Sequence, residues 1–177
     1  MAVNTSVIDS RPRSGARSRK NLTQYSSAVW TQQQGLPQDA IRAIAQTTDG
    51  YLWLGTDEGL ARFDGYDFVV FRKGSSGLIS NSITSLVAGA DRSLWIGTPQ
   101  GLVSYRDGAF RVYRKRDGIA ADGVRSLLLD HAGNLWIVAG GSLTRFDGTK
   151  FVSFLREKDI PITGVRSVAE DSAHNSR

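Results

Sequence analysis

The sequence predicts an all-β fold made of repeated four-stranded antiparallel units, and three observations predict it. Segments starting at Ile41, Ile83 and Val124 align almost without gaps and a fourth begins at Val165, so the starts lie 42, 41 and 41 residues apart. A tryptophan recurs at the same place in each complete unit, as Trp53, Trp95 and Trp136. Within a unit, short apolar runs rich in β-branched and aromatic residues are broken by turn signals every ~8–12 residues, the patterning of strands and hairpins. Periods of ~40–45 residues belong to propeller blades or to two-helix arrays. Gly50, Gly55, Gly59 and Gly65 interrupt every candidate helix of the first unit. The fold class is therefore a β-propeller, as an incomplete ring of about three to four blades.

The chain opens on a basic arm, residues 1–24. The 177 residues carry a net charge of +5, of which Met1–Ser27 supplies +4, from Arg11, Arg13, Arg17, Arg19 and Lys20 against Asp9. The arm is rich in Ser, Arg, Gly and Pro without hydrophobic periodicity, the composition of a disordered segment. The remainder is nearly neutral, so no nucleic-acid partner is expected. An export signal would need an apolar stretch of ~7–15 residues behind those charges, and none follows. No run approaches the ~20 apolar residues of a membrane span. Read alone, these features expect a chain that stays in the cytoplasm as written.

Residues 25–40 read as an orphan outer strand and lead-in. Trp30 stands eleven residues before Ile41, as Tyr113 does before Val124 and Phe154 before Val165. Tyr25–Thr31 thus takes the place of a fourth strand without a unit of its own. In a closed ring such a strand completes the last blade.

Blade 1 is 41–82. Ile41–Thr47 is its first strand and Tyr51–Thr56 its second. Leu60–Phe63 is the third, and the Asp64-Gly65 turn leads into Tyr66–Phe71. Blade 2 (83–123) and blade 3 (124–164) repeat the plan. Gly50 and Gly133 fall where a tight hairpin needs positive φ. Gly55 and Gly97 close the tryptophan strand, where a bend or a close backbone approach is expected. The third unit has Val138-Ala139 in place of Gly-Thr, with Gly140 and Gly141 beside it, and its turn should differ. An apolar residue stands five positions before each start: Leu36, Leu78, Ile119 and Ile160.

Residues 165–177 begin a fourth blade and end before its tryptophan strand. Propellers close with about 4–8 blades, so the expectation is a truncated fragment. Its open edges would invite self-association, or take the missing blades as partners.

Few residues offer chemistry. Cysteine is absent, which removes disulfides, thiolate sites and a cysteine nucleophile and suits an oxidising compartment. The histidines, His131 and His174, sit in turns, and Asp64, Asp107 and Asp147 recur with the repeat, as structural residues do. No catalytic residue, cofactor or metal ligand is assigned. The turn aspartates Asp49, Asp91 and Asp130 shift position between units, and too few oxygens converge for a hard cation. Turn capping is the preferred reading. The tryptophans suit either a ligand platform or packing between blades, and packing is preferred. Asp57-Glu58 and Pro99-Gln100 are candidates to line one face of the ring, and the ligand-binding residues are otherwise open.

IRAIAQTTDGYLWLGTDEGLARFDG, from Ile41, and SLWIGTPQGLVSYRDG, from Ser93, resemble the two-component regulator propeller repeat. The resemblance runs from Tyr25 to Asn175, with Val138-Ala139 and the unfinished fourth unit as departures. It implies a periplasmic, non-catalytic, ligand-sensing propeller, the N-terminal part of the sensor region of a hybrid histidine kinase or diguanylate cyclase. Its ligand would be an unidentified small molecule or glycan, and the output kinase or cyclase is absent from this chain. A protein-interaction scaffold is the second reading, and a propeller hydrolase or lyase fragment the third.

Overall fold

The computed structural model describes residues 3–4, 29–154 and 164–171. It opens on a two-stranded ladder, β1 (Val3–Asn4) with β2 (Val29–Trp30). Three four-stranded antiparallel sheets follow, each with its strands in chain order. Blade 1 is β3 (Ala43–Gln46), β4 (Leu52–Gly55), β5 (Leu60–Phe63) and β6 (Phe68–Phe71). Blade 2 is β7 (Ser85–Ala88), β8 (Leu94–Thr98), β9 (Gly101–Arg106) and β10 (Ala109–Tyr113). Blade 3 is β11 (Val124–Leu129), β12 (Leu135–Ala139), β13 (Ser142–Phe146) and β14 (Phe151–Phe154). The blades form an incomplete propeller, with β3 against β7 and β7 against β11.

The tryptophan strands are apolar on both faces because a middle blade is covered on both. In β8, Leu94 and Ile96 point, with Ile83 of the same blade, into a core shared with Trp53 and Leu60 of blade 1. Trp95 points the other way, toward Leu127, Leu135 and Phe146 of blade 3. Burying each such aliphatic side chain contributes about 1.5–3 kcal/mol, so these wedges are the chief cement between blades. The approach is close. A Cβ built on Gly55 would lie 2.6 Å from Ile83 Cγ2, and one on Gly97 would lie 2.9 Å from Val124 Cγ1. Hydrogen bonds add register, the Thr84 hydroxyl donating to the Val124 carbonyl at 2.7 Å and the Leu127 N–H to Ser85 Oγ at 3.2 Å.

The lead-in behaves as the tail of a preceding blade. Phe71 packs on Tyr105 at 5.8 Å and Tyr113 on Phe146 at 6.2 Å, each from a fourth strand onto the third strand of the next blade. Trp30 packs on Phe63 at 5.1 Å in the same relation. Leu36, Leu78 and Ile119 are all buried beneath these connections.

Three details go beyond the sequence reading. The outer strand, which has no unit of its own, gains a partner from the arm expected to be disordered, since Val3 and Asn4 pair with Trp30 and Val29 and satisfy backbone groups along its edge. The rest of the arm, Tyr25–Ala28, Ile160 and His174 lie outside the described residues. The start of the fourth unit is no regular strand over 165–169. It is tied to blade 3 by the Val165 N–H on the Gly141 carbonyl at 3.0 Å, as Ile83 is tied to Thr56 at 2.8 Å. Connections between blades also contain short 3-10 turns, Gln32–Gln34 and Lys115–Asp117, each ended by a left-handed glycine.

Candidate functional site

The loops between second and third strands carry the residues the sequence singled out for one face of the ring. Asp57 is braced on three sides. Its carboxylate accepts from Arg42 and from the Ser82 hydroxyl at 2.9 Å, and its N–H donates to Gln38 Oε1 at 3.1 Å. Arg42 first, then Ser82, hold that carboxyl below the usual aspartate range. The Glu58 carbonyl accepts from Arg72 Nε at 3.3 Å. Pro99 and Gln100 are exposed in the corresponding loop of blade 2. There the Thr98 hydroxyl closes the turn on the Gly101 carbonyl at 2.8 Å, as Thr56 does on Gly59. Blade 3 has neither threonine, and a Gly140-Gly141 turn with both φ values positive replaces the motif.

At the opposite ends of the strands the aspartates cap hairpins. Asp91 accepts from the Ser93 hydroxyl at 2.6 Å, the main cause of its lowered pKa, and pairs with Arg106 at 2.9 Å. Burial alone would raise the Asp130 pKa, but bonds from Asn134 and from the Trp136 indole at 2.8 Å together lower it. Asp64 takes the backbone N–H groups of Asp67 and Tyr66, both at 2.8 Å. Asp147 takes the Thr149 hydroxyl at 2.6 Å and two backbone N–H groups, which push it far below the usual range. Among the described residues no three His, Asp or Glu side chains converge on a metal position. His131 pairs through Nδ1 with Glu170 of the fourth unit at 2.9 Å.

The tryptophans occupy the wedges between blades. Trp53 is 2% exposed and packs on Phe71 at 5.7 Å and on Tyr105 of the next blade at 4.9 Å. Trp95 reaches Phe146 of blade 3 at 5.5 Å, while among the described residues Trp136 stacks on Phe154 of its own blade, at 5.8 Å. Beside Trp95 the wedge opens into a cleft of about 930 Å³. Its floor is aromatic (Trp95, Tyr113, Phe146), and Arg106, Arg111 and Lys150 stand around it. Sequence reasoning missed this cleft. The signal was present in the ninth residue after each tryptophan, which is Arg62, Ser104 and Arg145 in turn and faces the indole across the ladder.

Residues 35–58 and 77–100 match the two component regulator propeller family. Each match takes in a buried lead-in leucine, the first two strands of a blade and the turn after them. No curated protein matches the chain significantly in sequence. Among solved structures, the extracellular domain of a hybrid two-component system of B. thetaiotaomicron is similar with a TM-score of 0.75 at 20% identity. A second such domain from that organism gives 0.67 at 22% identity. Each alignment covers 88% of this chain and 22% of the other, so this chain spans 22% of the length of those domains. Virginiamycin B lyase from Staphylococcus aureus gives 0.61 at 13% identity, over 86% of this chain and 51% of the enzyme. These likenesses are of fold.

Proposed function

We propose, on the premise that two blades of this chain are two-component regulator propeller repeats, that it is part of the ligand-sensing ring of a bacterial signal-transduction protein, acting outside the cytoplasmic membrane. The observation that carries the reading is the coincidence of both family matches with the structural unit of the ring. Two solved domains of similar fold, extracellular parts of hybrid two-component systems, support the same reading. In such a role a ligand biases the packing of the ring or of its neighbours, and that bias is the signal.

The reading takes the chain as non-catalytic. Support comes from the carboxylates, since Asp57, Asp64, Asp91, Asp130 and Asp147 each spend their oxygens on turns or on ties between blades. The test is to read the coding region on both sides of this one in all frames. Further blades, one membrane-spanning helix and a kinase or cyclase are expected. Flanks that encode neither blades nor an output domain would overturn the proposal.

A further inference from the structure

The wedge between blades 1 and 2 is plugged and the wedge between blades 2 and 3 is not. In the first, the Arg62 guanidinium lies 4.3 Å over the Tyr51 ring and 5.8 Å over Trp53, and reaches the Tyr105 hydroxyl at 3.5 Å. The Trp53 indole N–H donates to Thr47 Oγ1 at 3.0 Å. Nothing of Trp53 is left for a ligand. One blade on, 42 residues further along, Tyr51, Arg62 and Thr47 are replaced by Ser93, Ser104 and Gly89. Ser93 turns back onto Asp91 at 2.6 Å, and a Cβ on Gly89 would strike that pair. Trp95 is therefore only half-buried between two complete blades, and its indole N–H meets no acceptor among the described residues. Blade 3 restores the pattern, with Arg145 opposite Trp136 and Asp130 accepting its N–H. Blade 2 is the exception.

We propose that this cleft binds a small flat-ringed organic anion, an aromatic carboxylate. The space left open is that of a phenol ring and a planar cation packed on an indole, so a flat ring refills it against Trp95 and Phe146. The indole N–H lacks an acceptor, which a carboxylate oxygen supplies. Three cations stand around the cleft. Arg106 is partly neutralised by Asp91, at 2.9 Å. Arg111 is held over the Tyr113 ring at 5.0 Å and makes no ion pair among the described residues. Lys150 makes no ion pair there either, though its charge acts on the Asp147 carboxylate, and Asp117 also lines the cleft as an anion, accepting the Arg114 N–H at 2.8 Å. Three cations against the two carboxylates Asp91 and Asp117 leave the cleft with an excess of positive charge, and a charge-assisted bond to the unpaired Arg111 is about twice as strong as a neutral one. The inference concerns binding alone and does not rest on the sensor reading.

The test titrates the full chain, labelled with ¹⁵N at its four tryptophans, with benzoate, benzamide and cyclohexanecarboxylate. Benzoate is expected to move saturably the indole N–H signal that is missing in Trp95→Phe. Benzamide, flat but uncharged, and cyclohexanecarboxylate, charged but not flat, should bind at least tenfold more weakly. Ser93→Tyr with Ser104→Arg rebuilds the plug of the first wedge, and should abolish binding while keeping or raising the melting temperature. Should that pair fail to fold, Arg111→Gln must weaken benzoate at least tenfold and leave benzamide unchanged. Equal binding of all three probes, a response at Trp53 or Trp136 instead, or undiminished binding by a folded plugged variant would overturn the proposal.

Discussion

At the scale of single residues, the spacing between blades is set by atoms that are absent. Gly55 ends the tryptophan strand of blade 1 and lies under Ile83, the first residue of blade 2, which is itself fully buried. Gly55 does not have a positive φ, so the need for glycine there is one of space. A methyl group placed 2.6 Å from Ile83 Cγ2 must push the two blades apart. Overpacking of this kind costs about 1–3 kcal/mol. Gly55→Ala should therefore lower the melting temperature by several degrees in thermal unfolding, with a further loss for Gly55→Val. Blade 3 has Val138 at the matching place. An unchanged midpoint in Gly55→Ala would mean that the wedge yields without cost. Blade 2 offers a contrast in backbone strain, because Arg92 takes φ 63° where the other two blades have Gly50 and Gly133.

At the scale of elements, the strands were legible because each is four to six residues long, apolar or alternating, and bounded by Gly and Asp. Tyr51–Thr56 and Leu60–Phe63 were read within a residue or two of β4 and β5. The 3-10 turns between blades were not, since their three residues carry no periodicity and their geometry follows from packing of the glycine behind them, as Gly118 on Phe151. The pairing of Val3–Asn4 with β2 was also out of reach, because a two-residue ladder leaves no pattern. Of the candidate site, the tryptophans' place between blades was legible from their period. The hollow beside Trp95 was not, because it arises from three small residues of blade 2, Gly89, Ser93 and Ser104, that come together only across its strands. The hairpin aspartates make a prediction at this scale. Asp64, Asp91, Asp130 and Asp147 all have lowered pKa values in the fold. A group lowered by folding adds stability above its unfolded pKa, about 3.9 for Asp, and that stability is lost as pH falls through the folded value. The melting temperature should hold from neutral pH to about 5, then fall as pH drops below about 4. Asp147→Asn should make the acid limb shallower, and an acid limb as steep as that of the parent chain would count against this assignment.

At the scale of the molecule, the two ends of the arc differ in what covers them. On blade 1 the lead-in lies over the outward face, where Trp30, Leu36 and Ile41 pack with Leu54, Ala61 and Phe68. On blade 3 the face bearing Trp136 meets no fourth sheet among the described residues. Trp136 is half-buried, and Arg145 Nε is buried without a hydrogen-bond partner among the described residues. In blades 1 and 2 the equivalent face contributes the interblade core, and on blade 3 its aromatic Trp136 is only half-buried where Trp53 of blade 1 is 2% exposed. A buried donor without a partner costs roughly 1–3 kcal/mol. Repeat arrays gain stability from interfaces between neighbours and need a covered end. The chain studied alone should therefore associate through this face, and sedimentation should show species heavier than 19.3 kDa that grow with concentration. Val152 faces Arg145 across the ladder on the same side. Val152→Lys places a second cation there and should shift the equilibrium toward monomer without removing any strand. Fusion to further blades of the same repeat should do so too, and should sharpen the melting transition by covering Trp136. A parent chain that is monodisperse at 19.3 kDa and melts cooperatively would show that the open face is tolerated, and that the ring needs no partner for its stability.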